Sequence, residues 1–181
     1  MATNRHLVEL LFNDKEKIKY TEIIDLQYQF WEDLWHYQFY SLEPNDKDRI
    51  STANLLSSKL PDLPPNSIEK FRAQISQIND ELGESDPGIT LEEFTAVQIF
   101  FNSIDIVKSK MYKKSFLDYD DFKEIFYELI EQTDYVVKNN VKVPEHVCSS
   151  LFSLLDTDDS GNLEPAEVIE FNRNIMGKPK D

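Results

Sequence analysis

The residues best equipped for chemistry are gathered in one stretch of twelve, 156–167. Asp156, Asp158, Ser160, Asn162, Glu164 and Glu167 are spaced there so that oxygen-bearing groups recur at nearly every second position. Such a set suits a hard cation that takes six to eight oxygens. A calcium loop draws its ligands from positions 1, 3, 5, 7, 9 and 12 and turns sharply at a glycine in position 6. Asp156, Asp158 and Ser160 fill the first three ligand positions, and Gly161 is the glycine. Asn162 would serve through its backbone carbonyl, Glu164 directly or through water, and Glu167 with both carboxylate oxygens. Leu163 fills position 8. Pro165 falls on the first turn of the exiting helix, where no amide bond is needed. Ser160 stands where Asp or Asn is commoner; its hydroxyl can still ligate, but one charge is lost. Asp159 points outward and contributes only field. The competing reading is an acidic helix-capping loop that holds no ion. Agreement of the ligand positions, the glycine and the flanking helices favours Ca2+ at an EF-hand loop.

Part of this pattern recurs. An apolar residue followed four positions later by a carboxylate or amide and then another apolar residue occurs at Ile18/Glu22, Ile50/Asn54, Ile89/Glu93, Leu117/Asp121 and Leu163/Glu167. Each copy places an apolar residue at position 8 of a hand and a ligand-type residue at position 12. Position 8 residues of two hands are expected to meet in a short antiparallel contact. The first four copies are defective as cation cages. Lys15 and Lys17 precede Ile18, and Pro44, Lys47 and Arg49 precede Ile50. Pro87 occupies position 6 before Ile89, and Lys110, Lys113 and Lys114 precede Leu117. An ammonium group inside a cation cage opposes the cation. These copies are expected to be metal-free scaffold, although the one at Ile89 keeps Glu84, Asp86 and Glu93.

The elements that must position these loops are helical. Apolar periodicity predicts helices over 21–42, 67–82, 90–112, 118–138, 143–155 and 165–176. The first is apolar around most of its circumference, with Trp31 and Trp35 one turn apart on a shared face. Those aromatics either fill a lobe core or present a surface to a protein partner; we expect docking. Pro61, Pro64 and Pro65 cannot sit in a helix interior and mark a linker. The expected organisation is a degenerate EF-hand-like lobe over 1–60, a Pro-rich linker over 61–66, and a lobe over 67–181 that carries the calcium loop 156–167. The fold class is all-α, built of helix–loop–helix repeats with short β contacts between loops. Only 4 glycines in 181 residues argue against an all-β fold, which uses more in its turns.

Charge narrows the partners. The net charge of −15 repels phosphate backbones and anionic lipid, so nucleic acid is not expected. No apolar run approaches the length of a membrane span. Arg5 is followed by Glu9, Asp14 and Glu16, which reads as neither a signal peptide nor a transit peptide. The single cysteine, Cys148, excludes an internal disulfide and any multi-cysteine zinc site. It reads as a small core residue, and His146, two residues away, faces elsewhere on a helix. Without a phosphate loop, a dinucleotide fingerprint or a zinc-protease motif, catalysis is not expected.

The block 143–152 (VPEHVCSSLF), running straight into the calcium loop, resembles the C-terminal hand of the mitochondrial calcium uptake (MICU) family. So does the stretch 88–104, GITLEEF leading into FFNSI. The resemblance extends more weakly upstream through Ile50 to Ile18 and matches about the C-terminal half of a family member. It implies a regulator of calcium uptake in mitochondria. Of that family's two calcium hands only the second maps here, onto Asp156, Asp158, Ser160, Asn162, Glu164 and Glu167. The expected function is a calcium sensor or regulator. The alternative is a non-catalytic structural subunit of a large, mitochondrial complex in which calcium is a fixed ion. A cytosolic setting stays open.

Overall fold

Helix starts in this chain are set by side chains that cap them. Ser51, Thr90, Asp118 and Thr133 each accept the backbone N–H three residues on. They thereby satisfy amides that a first helical turn leaves without partners. The computed structural model describes residues 19–60, 65–111 and 114–175. Within them the helices are α1 (Tyr20–Ser41), α2 (Thr52–Ser57), α3 (Pro65–Leu82), α4 (Leu91–Asn102), α5 (Ile104–Met111), α6 (Tyr119–Glu131), α7 (Asp134–Asn139), α8 (Glu145–Leu155) and α9 (Pro165–Ile175). Among the described residues, none is long and apolar enough to cross a membrane.

Four of these helix pairs enclose the repeated loops. Helices α1 and α2 flank loop 43–54, α3 and α4 flank 82–93, α5 and α6 flank 110–121, and α8 and α9 flank 156–167. The expected contacts between position 8 residues form. Ile50 and Ile89 exchange backbone hydrogen bonds of 3.0 and 2.8 Å, and Leu117 and Leu163 exchange bonds of 3.0 and 2.7 Å. Among the described residues these two antiparallel bridges are the β pairing, and there is no sheet. The fold is all-α and of EF-hand type.

The first bridge joins the two sides of the expected linker at 61–66. Residues 50–57, expected within a lobe 1–60, pair with the hand at Ile89, and α1 packs on α4. Helix α3 begins at Pro65 rather than at 67, because proline is well tolerated at a first helical position. The repeat at Ile18, and residues 61–64, lie outside the described residues.

Two predicted long helices are broken. The span 90–112 divides at Ser103, whose hydroxyl donates to Ile99 O at 3.0 Å while its N–H donates to Phe100 O at 2.9 Å. The span 118–138 divides at Thr133, whose hydroxyl donates to Ile130 O at 2.8 Å and accepts from Val136 N at 3.4 Å. Ser and Thr side chains offer the backbone an alternative to the helical ladder, and periodicity alone does not register it. The short α2, capped by Ser51, has too few apolar positions to show a period.

The hand pairs share one core of phenylalanines. Phe100 of α4 lies 4.8 Å from Phe126 and 5.9 Å from Phe122, both on α6, and Phe122 lies 5.6 Å from Phe152 of α8. Phe101 lies 5.9 Å from Phe171 of α9, which is 5.9 Å from Phe71 of α3. These offset and edge-on contacts add to the burial that holds helices together. Helix α1 joins through Phe39, 5.7 Å from Phe94 and fully buried, and through buried Trp35. Trp31 stacks on Trp35 at 6.0 Å and stays 36% exposed.

Candidate metal centre

The loop 156–167 begins where α8 runs out. Asp156 caps α8, and its two carboxylate oxygens turn back into the loop. Oδ1 accepts from Ser160 N at 3.0 Å and Oδ2 from Gly161 N at 2.8 Å. Gly161 makes that turn with φ of +76°, a conformation that disfavours any other residue. Asp158 Oδ1 also accepts from Ser160 N, at 3.1 Å. The Ser160 hydroxyl donates to Asn162 O at 3.0 Å, which brings positions 5 and 7 together. At the far end, Glu167 is the third residue of α9. Its Oε2 accepts from Glu164 N at 3.0 Å, and its Oε1 accepts from Thr157 N at 2.6 Å and from the Thr157 hydroxyl at 2.8 Å. Position 12 is therefore a helix-capping position as well as a ligand position.

The fold converges three carboxylates. Asp156, Asp158 and Glu167 each present an oxygen, and those oxygens lie within 4.8 Å of one another. Oxygens on opposite sides of a calcium ion at about 2.3–2.6 Å are separated by a similar span. Asp156 and Glu167 are buried at 5% and 8% exposure. Burial pushes the Asp156 carboxyl above the usual carboxylate range, against the pull of the Gly161 and Ser160 hydrogen bonds. The Ser160 hydrogen bonds hold the exposed Asp158 below it. Glu164 is exposed and is not one of the three converging carboxylates; its backbone serves the loop instead.

The sister loops dispose of the same charge internally. In loop 82–93 the Arg49 guanidinium, reaching from the neighbouring loop, donates to Gly88 O at 2.9 Å and lies 3.8 Å from Glu93 Oε2. Gly88 and Glu93 are positions 7 and 12, so an arginine from the paired loop meets the two groups that would face a cation. Asp86, at position 5, is turned away to accept from Thr52 N at 2.7 Å, the Thr52 hydroxyl at 3.0 Å and Gly88 N at 2.9 Å. In loop 110–121 the Lys114 ammonium pairs with Asp121, position 5 with position 12. In loop 43–54 position 12 is Asn54, whose amide donates to Leu42 O at 3.2 Å. Glu167 differs from Glu93 and Asp121: among the described residues no Lys or Arg pairs with it or with Asp156. The hydrogen bonds from Glu164 and Thr157 satisfy part of the Glu167 charge, and the converging carboxylates could hold a cation.

Sequence reasoning missed Thr157 and Gln74, and read Arg49 only as a defect of its own loop. Position 2 carries no pattern, and the Arg49 contact crosses between loops. Gln74 Nε2 of α3 lies 3.3 Å from both Ser153 O and Asp156 O, tying α3 to the entrance of the loop. Cys148 is fully buried, and burial pushes its thiol up to about 12. His146 turns toward the neighbouring loop, its Nε2 3.8 Å from Asp86 Oδ1.

Fold and loop geometry together define an EF-hand-type fold in which, among the described residues, the loop 156–167 brings together carboxylates that could hold a metal ion. Compared with solved structures, the chain is similar to the crystal structure of EFHA2 in its apo state, with a TM-score of 0.62 at 17% identity. That match covers 95% of this chain and 55% of that one, so the chain spans about half the length of its structural neighbour. No protein-family model and no curated protein matches the chain.

Proposed function

We propose that the chain is a non-catalytic calcium-binding protein that takes one Ca2+ ion in loop 156–167. Asp156, Asp158 and Glu167 would hold it by their carboxylates, Ser160 by its hydroxyl, Asn162 by its carbonyl, and Glu164 directly or through water. The observation that carries this reading is a contrast in counter-charge: Arg49 and Lys114 answer Glu93 and Asp121, and among the described residues no Lys or Arg answers Glu167. The ion would supply charge neutralisation and cross-link α8 to α9. The resemblance of 143–152 and 88–104 to the MICU family suggests a mitochondrial regulator of that kind, and the likeness to EFHA2 supports the EF-hand fold on which that reading rests.

We read the site as a sensor. Gln74 connects α3 to the carbonyls at the end of α8, so a shift of α8 on calcium binding would be felt by the first hand pair. The internal cations of the other loops favour a second reading, a structural subunit in which three loops are locked and calcium is a fixed ion. Calorimetric titration separates the two. One reversible site in the range of about 10⁻⁷–10⁻⁵ M, with a change of shape in small-angle scattering, fits the sensor. A single tight site with no change of shape fits the subunit. Glu167→Ala is expected to abolish binding while leaving the helical circular dichroism in place. Unchanged stoichiometry in that variant refutes the site.

A further inference from the structure

Helix α1 has a second apolar face that the core does not use. Ile23, Phe30 and Tyr37 recur every seven residues, with Tyr40 a further three on; their exposures are 45%, 60%, 73% and 48%. At 100° per residue, these residues lie about 100–180° around the helix from core-facing Trp35 and Phe39. Those two are the buried residues of α1 among the described ones, and both lie in its last two turns. A helix of 22 residues is about 33 Å long, so its earlier turns extend beyond the two buried anchors seen among the described residues. A seven-residue apolar repeat is the seam by which one helix packs on another.

Charge selects the occupant. Between Tyr20 and Ser41 the sequence has Glu22, Asp25, Glu32 and Asp33, and no Lys or Arg. By the same geometry Asp33 falls on the exposed stripe, between Phe30 and Tyr37. A second copy would bring like charges together on this seam and oppose −15 with −15. Anionic lipid has the wrong sign too. We propose that the outward face of α1 docks a basic amphipathic helix of another protein, with apolar residues on the seam and Lys or Arg flanking it. Docking is independent of calcium, because α1 leads into loop 43–54, whose Arg49 is held by Gly88 and Glu93 rather than by an ion.

The chain's two tryptophans both lie in α1, so their fluorescence reports this helix. The full chain is titrated with a synthetic three-heptad peptide carrying leucine on the seam and lysine elsewhere, and with its glutamate counterpart. The lysine peptide is expected to shift the tryptophan emission equally in calcium and in chelator, and the glutamate peptide is not. Phe30→Ser/Tyr37→Ser should weaken binding about tenfold or more, the loss typical of truncated interface anchors, with circular dichroism unchanged. Asp33→Lys keeps the apolar face and should move preference toward the glutamate peptide. Equal binding of both peptides, no binding of the lysine peptide, or full affinity in the double serine variant overturns the proposal. Sedimentation showing a dimer that the same variant dissolves makes a second copy the occupant and overturns it as well. Loss of calcium binding by Glu167→Ala would leave this result untouched, so the two readings fail separately.

Discussion

Arg49 shows how a single residue can retire a cation loop. Its guanidinium reaches Gly88 O and approaches Glu93, so the loop 82–93 carries its own positive charge and the position 12 acid is neutralised without an ion. Lys114 does the same for Asp121 from within its own loop. Arg49→Met should therefore destabilise the chain rather than create a calcium site. The loss of a charge-assisted hydrogen bond to a partly exposed arginine is expected to cost about 1–2 kcal/mol. The midpoint of urea unfolding reads that loss, and titration should still find only the site at Glu167. A second calcium site in that variant would show that Arg49 merely excludes an ion the loop could otherwise bind.

Hands work in pairs, and the pairing decides which elements feel the metal. Leu117 belongs to a loop whose acid is answered by lysine, yet it exchanges both backbone hydrogen bonds with Leu163 in the middle of the loop 156–167. Ile89 occupies the matching place in the other pair, bridged to Ile50. Both side chains are essentially fully buried. Truncating either to alanine should cost about 2–5 kcal/mol of stability. Only Leu117→Ala should also weaken calcium binding, because only it supports the neighbouring strand of that loop. Calorimetry on the two variants tests this, and an equal fall in affinity would mean that coupling runs through the whole core rather than through the bridge.

Phenylalanines that cross between the pairs hold the described helices together, so the folded state is expected not to depend on an ion. Calcium should then act as a ligand of the native state and raise its stability by mass action. At a hundredfold excess over the dissociation constant, the gain is about 2.7 kcal/mol. For a chain of 181 residues that corresponds to a rise in thermal midpoint of about 5–10 °C. Scanning calorimetry in calcium and in chelator should show this rise for the native chain and not for Glu167→Ala. Unfolding of the chain in chelator at room temperature would show instead that the ion is needed for folding.

What could be read from residues alone was whatever repeats at a fixed spacing. The glycine, the alternating oxygens of 156–167, and the interval from position 8 to position 12 are local. That interval recurs because it also sets a helix-capping geometry, as Thr90 with Glu93 and Glu164 with Glu167 show. The all-α class and the contacts between loops followed from that interval and from apolar periodicity. The breaks at Ser103 and Thr133 did not, since a hydroxyl turning to a carbonyl leaves no mark on periodicity. Nor did the partner of each loop: Ile50 pairs with Ile89 across the proline-rich stretch, because burial and hydrogen bonding act through space. Lys114 stands in the same loop as Asp121 and was legible as a defect there, but tertiary structure alone decided how Glu93 was answered. Arg49 and Glu93 are far apart along the chain and come together only when two loops lie side by side, so the retirement of the loop 82–93 by this arginine arises in the folded chain.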